Sequence, residues 1–203
     1  MEGKTFEREL PADYEAALTI DAGNKKLGLL MNLAAAVPLI PALLAAARIL
    51  RGRLTEVVQE GGFLGKWLGF LAVLLVYIVL HELVHGAAYY ALTRRRLTFG
   101  LKLTCAYCGV PDIYTYRRTA LISLLAPFTV FTILFGLAAA LLTDPLLRAM
   151  AVVLLGLHVG GCAGDLYDTL LFLTRFRDPA TLMRDTGPAQ TIFVKQQSPS
   201  KLQ

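Results

Sequence analysis

The chain has 203 residues, 56% of them hydrophobic, with a mean hydropathy of +0.56 and a formal net charge of +5. Soluble domains average roughly 45–50% apolar, and here the excess is gathered into long runs, which excludes a soluble globular enzyme. The positive charge flanks those runs, where anionic lipid headgroups account for it without any nucleic acid.

Residues 1–26 are polar and mixed in charge. They read as a lead-in with a short amphipathic stretch over 14–18, and the first apolar run then serves as an uncleaved anchor. That run, 27–50, holds only Asn32 as a clearly polar residue and carries Pro38 and Pro41, which predict a kink. A charged loop, 51–62, leads to a second run, 63–92, that ends at Arg94-Arg95-Arg96. Residues 97–116 alternate and are rich in strand formers. Gly109-Val110-Pro111-Asp112 reads as a turn, so a β-hairpin is expected with Ile113–Tyr116 as its return strand. The run 119–142 is uncharged and contains Pro127, a second expected kink. The run 146–176 starts apolar and is interrupted by Gly160, Gly161 and Gly164. Within a membrane such freed backbone is tolerated only against protein or a water-filled cavity. The tail, 179–203, offers a turn at Asp185-Thr186-Gly187-Pro188, a short strand at Thr191–Val194 and a polar end.

About 20 apolar residues span a bilayer core, and each of the four runs is long enough. The expected fold is an all-α membrane protein with four transmembrane helices and a small hairpin between the second and third. Its parts are a lead-in (1–26), an integral domain (27–178) and a tail (179–203). With four spans, Lys4, Arg8, Lys25, Lys26, Arg94, Arg95, Arg96, Lys102, Arg117, Arg118, Arg175, Arg177, Arg184, Lys195 and Lys201 share one side, against Arg48, Arg51, Arg53, Lys66 and Arg148 on the other. The positive-inside rule then puts both termini in the cytoplasm. Cys105 and Cys108 have metal or redox spacing, but no second pair accompanies them. Ordinary packing is the expected role.

The most informative feature is His81-Glu82-Leu83-Val84-His85-Gly86 inside the second run. Positions 81 and 85 lie one helical turn apart on one face. Two imidazoles so placed can grip one zinc ion, with Glu82 as general base toward a water. An intramembrane carboxylate is a functional residue by default, because its insertion costs roughly 2.5–3.5 kcal/mol unless it faces a protein interior.

A catalytic zinc site normally takes a third protein ligand. Inside the spans the candidates are Asp165, Asp168 and His158. At 1.5 Å per helical residue, His81 lies roughly 20 Å and His85 roughly 14 Å from the Arg94 cluster, and Asp165 roughly 15 Å from Arg175. Asp165 is therefore level with the histidines. Asp168 lies one turn nearer the cytoplasm and suits either ligation or a hydrogen bond to a ligating histidine. His158 lies deeper and ranks third. The competing reading makes Asp165 and Asp168 caps of a helix that restarts after Gly164.

His81-Glu82-Leu83-Val84-His85-Gly86 in a span, a strand-like loop, a proline-bearing span and Gly164-Asp165-Leu166-Tyr167-Asp168 together resemble the putative zincin peptidase family, a bacterial membrane family. They resemble more distantly the site-2 class of intramembrane metalloproteases, which carry Leu-Asp-Gly where this chain has Gly-Asp-Leu. The resemblance covers about residues 63–178. It implies Zn2+ on His81, His85 and Asp165, Glu82 as the base, a bacterial plasma membrane and a membrane-embedded peptide or protein substrate. Two rival expectations are a zinc-binding membrane protein without catalysis that binds or retains a partner, and a helical scaffold whose polar residues form a buried network.

Overall fold

The computed structural model describes residues 4–21, 24–59, 62–101 and 106–196. The lead-in forms two strands, β1 (Phe6–Glu7) and β2 (Tyr14–Asp21). Helix α1 (Lys25–Ile49) follows, capped by the Asn24 side chain, which accepts from the Lys26 and Leu27 amides. It runs through both prolines. A short α2 (Leu54–Gln59) precedes α3 (Phe63–Thr93), which stops at Arg94 in the left-handed region. Strands β3 (Thr98–Leu101), β4 (Ala106–Gly109) and β5 (Tyr114–Tyr116) lead directly into α4 (Arg117–Leu141). Helices α5 (Pro145–Gly161) and α6 (Ala163–Thr174) and strands β6 (Leu182–Asp185) and β7 (Ala189–Lys195) complete the order.

Helices α1, α3 and α4 are each long and apolar enough to cross a membrane; α5 and α6, bent by 49° where they meet, add a fourth crossing if the pair is one broken span. The surface they present fits that medium. Leu29, Leu33, Val37, Ile40 and Leu44 on α1, and Leu64, Leu68, Leu71, Leu75 and Val79 on α3, are exposed. Apolar patches of that extent need lipid or a partner rather than water.

Small residues bring the helices together. A Cβ on Gly156 would strike the Ala42 side chain, and one on Gly160 would run into the Ala35 carbonyl. The α1–α5 crossing is thus a glycine-lined contact in which backbones touch, the packing that serves inside a bilayer, where burial of apolar surface gives no drive to associate. Tyr77, Phe131, Phe135 and Leu154 fill the space between α3, α4 and α5.

The chain is mostly helical, but two corrections to the expected fold follow. First, it is not all-α. A five-stranded antiparallel sheet in the order β1-β5-β6-β7-β2 sits against the helix ends. The stretch expected to be amphipathic at 14–18 is the strand β2, registered from Tyr14 opposite Lys195 to Asp21 opposite Ala189. The strand expected at 191–194 is the middle of β7. Second, a strand pair does lie between α3 and α4, but its return strand is not residues 113–116. Strand β4 returns against β3, pairing Phe99 with Cys108, while residues 114–116 join the larger sheet between β1 and β6. The Gly109–Asp112 turn therefore carries the chain from one sheet to the other. Residues 102–105, with Cys105, lie outside the described residues, as do 197–203.

The largest core cluster forms where sheet meets helices. Ile20, Val110, Ile113, Met183 and Ile192 pack with Tyr89, Ala120, Leu124, Phe172 and Phe176. This junction anchors the ends of α3, α4 and α6, and so fixes how the residues one or two turns further into the helices face one another.

Candidate metal centre

His81 and His85 are 8% and 7% exposed and lie one above the other on α3, with ring centroids 5.1 Å apart. Asp165 reaches them from the first turn of α6. Its Oδ2 stands 3.6 Å from His81 Nε2 and 3.3 Å from His85 Nε2, and one ligand atom from each of the three lies within 4.8 Å of the others. The break after Gly161 puts Asp165 there. The chain bends by 49° between α5 and α6, and Asp165 stands in the first turn after the bend.

The donor set fits zinc. Ligand distances near 2.0–2.2 Å in a tetrahedron place neighbouring donor atoms roughly 3.3 Å apart, and the two spacings to Asp165 are 3.3 and 3.6 Å. The histidines are held for that purpose. His85 Nδ1 donates to the Ser123 carbonyl at 2.8 Å, which leaves its Nε2 lone pair facing Asp165. His81 Nδ1 lies 3.2 Å from the Tyr77 hydroxyl.

Glu82 is half-buried beside the histidines, and Cys108 of β4 borders the same cavity. All four side chains open on one cavity of about 730 Å³. Its walls include Asn32 and Ala35 of α1, Tyr107 of β4, Gly160 and Gly164 at the helix break, and Asp185. The glycine interruption lines this cavity.

The other sequence candidates fall outside the trio. Asp168 is one turn further along α6, 3% exposed, and its buried Oδ1 has no hydrogen-bond partner among the described residues. It lines the cavity without joining the histidines. His158 is fully buried on α5 and faces His81 from the opposite side, with Tyr77 and Cys162. Burial pushes the Cys108 thiol up to about 12, so it stays protonated at neutral pH and packs as a small apolar residue.

Three features had no clear sequence signal. The Ser123 carbonyl is backbone and leaves no trace in residue type. Tyr77 stands four residues before His81, so helical spacing puts it on the histidine face, although nothing in the sequence gives the hydroxyl a partner there. Asp185 comes from the tail, where its turn residues pointed only to a bend. Its Oδ2 accepts from Tyr89 Oη at 2.8 Å and its Oδ1 from the Gly187 amide at 2.8 Å, tying the β6–β7 turn to α3 one turn beyond His85.

Burial pushes the Asp185 carboxyl up from 3.8 to about 6, because lost hydration outweighs the hydrogen bonds that favour the charge. The folded protein therefore keeps a proton that the unfolded chain releases. Stability from this group is full below about pH 4 and is lost as pH rises through about 6, by at most about 3 kcal/mol. Asp185→Asn should flatten the fall in thermal midpoint over that window. A slope identical to wild type would contradict this assignment.

Compared with known proteins, residues 74–180, just over half of the chain, match a family model described as putative zincin peptidase. No curated protein and no solved structure matches the chain.

Proposed function

The chain belongs to the putative zincin peptidase family, and from that premise we propose that it is a zinc-dependent peptidase that cuts a membrane-embedded protein segment. The family implies zinc, and the residues suited to hold it are His81, His85 and Asp165. One observation carries the reading: two histidine Nε2 atoms converge on a single Asp165 oxygen at 3.6 and 3.3 Å, on the wall of a cavity formed between the helices and the strands.

A bound zinc ion supplies Lewis acidity, which acidifies water and polarises a peptide carbonyl. The protein's residues do the rest. Glu82 takes a proton from the attacking water at its carboxylate and returns it to the departing amine nitrogen.

A helical substrate hides its peptide carbonyls, so it must be extended before cleavage. Strand β4 suits that task. It pairs with β3 along one edge, while Ala106, Tyr107 and Cys108 border the cavity. An extended peptide added to the β4 edge would gain backbone hydrogen bonds and lie beside Glu82. Arg94, Arg95, Arg96, Arg117, Arg118, Arg175 and Arg177 all flank the sheet end of the helices, which supports a cytoplasmic position for the sheet and both termini.

The test is metal content. Detergent-purified wild type should hold one zinc per chain, and His81→Ala, His85→Ala and Asp165→Ala should each retain far less under the same dialysis. Equal zinc in Asp165→Ala would remove it from the ligand set. Stoichiometric zinc with no cleavage of any reconstituted membrane peptide would favour a zinc-binding protein that retains a partner instead.

A further inference from the structure

We propose that Tyr77 and His158 form a hydrogen-bonded relay that decides which nitrogen of His81 carries its hydrogen, and that the relay thereby sets the zinc affinity of the centre. The inference rests on the zinc reading above.

The argument starts from an atom that can only accept. The Phe128 carbonyl oxygen lies 3.3 Å from His158 Nε2, and Thr132 Oγ1 lies 3.2 Å from the same nitrogen. A carbonyl at that position requires a hydrogen on Nε2. The neutral His158 ring then presents Nδ1 as an acceptor, and Tyr77 Oη stands 2.9 Å from it. A phenol has one hydrogen. Once that hydrogen is given to His158, Oη can only accept from its other neighbour, His81 Nδ1, at 3.2 Å. His81 must therefore carry its hydrogen on Nδ1, which leaves the Nε2 lone pair directed at Asp165 and the ion. Each assignment follows from the one before, so a backbone oxygen on α4 dictates the tautomer of a ligand on α3.

The two histidine ligands are thus oriented by different means. His85 is set by a backbone carbonyl, the Ser123 oxygen, which substitution cannot remove. His81 is set by two side chains, both buried among rings. Phe131 and Phe135 meet the Tyr77 ring edge-on at 5.1 and 5.3 Å, which holds the hydroxyl in place.

His81, His158 and Cys162 also bring ligand atoms within 4.8 Å of one another. That set does not compete for the ion. The Tyr77 hydroxyl already bonds both ring nitrogens, and a neutral His81 has only one lone pair to give.

The experiment measures zinc affinity by chelator competition on the full chain in detergent, for wild type, Tyr77→Phe, His158→Leu and the double variant. Tyr77→Phe keeps the ring and removes only the oxygen. It should bind zinc roughly 10- to 100-fold more weakly. His158→Leu never touches the ion, yet it should weaken binding to a similar degree, because Tyr77 then donates to His81 and reverses its tautomer. The double variant should be no weaker than Tyr77→Phe alone, since both changes break one chain. Wild-type affinity in Tyr77→Phe, or losses that multiply in the double variant, would overturn the relay. If His158→Leu does not fold, Tyr77→Phe decides alone. A wild type that holds no zinc would instead sink the metal centre itself, and the two failures are told apart by that first measurement.

Discussion

Glu82→Gln should leave zinc content unchanged and lower peptide cleavage by roughly 10²- to 10⁴-fold, the usual worth of a positioned general base. Glutamine has nearly the same shape and occupies the same half-buried place beside His81 and His85. What it loses is the ability to accept a proton at neutral pH. The change therefore separates the two tasks of the site, because the three residues suited to hold the ion are untouched. Cleavage of a reconstituted membrane peptide, followed by mass spectrometry of the products, reads the first task, and elemental analysis of the same preparation reads the second. Wild-type cleavage in Glu82→Gln would remove Glu82 from the reaction, and a fall in zinc would make it part of the metal set.

The second large effect concerns a residue with no chemistry at all. Gly160→Val should disrupt the α1–α5 contact and with it the cavity wall. A new Cβ at 160 would overlap the Ala35 carbonyl, which is backbone and cannot rotate aside. The helices must separate, and overpacking of this kind costs about 1–3 kcal/mol or more. Ala35 and Gly160 both line the cavity, so the displacement reaches the space beside Asp165. The sign of the result is informative, since replacing glycine within a helix would otherwise gain up to about 1 kcal/mol. Gly136 on α4 supplies the contrast. Nothing lies within 4 Å of its Cβ position, so Gly136→Ala should keep or slightly raise the thermal midpoint in detergent while Gly160→Val lowers it clearly. Equal midpoints in the two variants would show that α1 and α5 do not meet at glycine.

The helices were legible because a bilayer imposes a simple demand: a long apolar run that satisfies its own backbone. Residues 25–49, 63–93 and 117–141 match the expected runs to within a few positions at each end. Depth along two such runs was enough to bring Asp165 level with the histidines, since helical rise converts residue count into distance. The sheet followed no such rule. Its strands come from 6–7, 14–21, 114–116, 182–185 and 189–195, and pairing at that separation depends on a partner that local alternation does not name. Tyr14–Asp21 alternates as much like one face of a helix as like a strand. Gly109-Val110-Pro111-Asp112 does turn the chain, but turn chemistry alone cannot say whether the next strand returns to the last one or leaves for another sheet. The relay through Tyr77 and His158 needed three helices in register, and only the first step, the four-residue spacing from Tyr77 to His81, was written along the chain.

The pairing of β2 with β7 carries a consequence for biogenesis. Tyr14 meets Lys195, so a strand translated ahead of the membrane helices must wait for one translated after all of them. The histidine pair, Glu82 and Asp165 will all have entered the bilayer before the sheet can close. Asp185 and its bond to Tyr89 also come after the helices, and until they form the cavity lacks that boundary. A nascent chain arrested after residue 180 would thus carry the whole donor set in an unfinished chamber. The donor residues are made first, and the sheet that walls the cavity is completed after them.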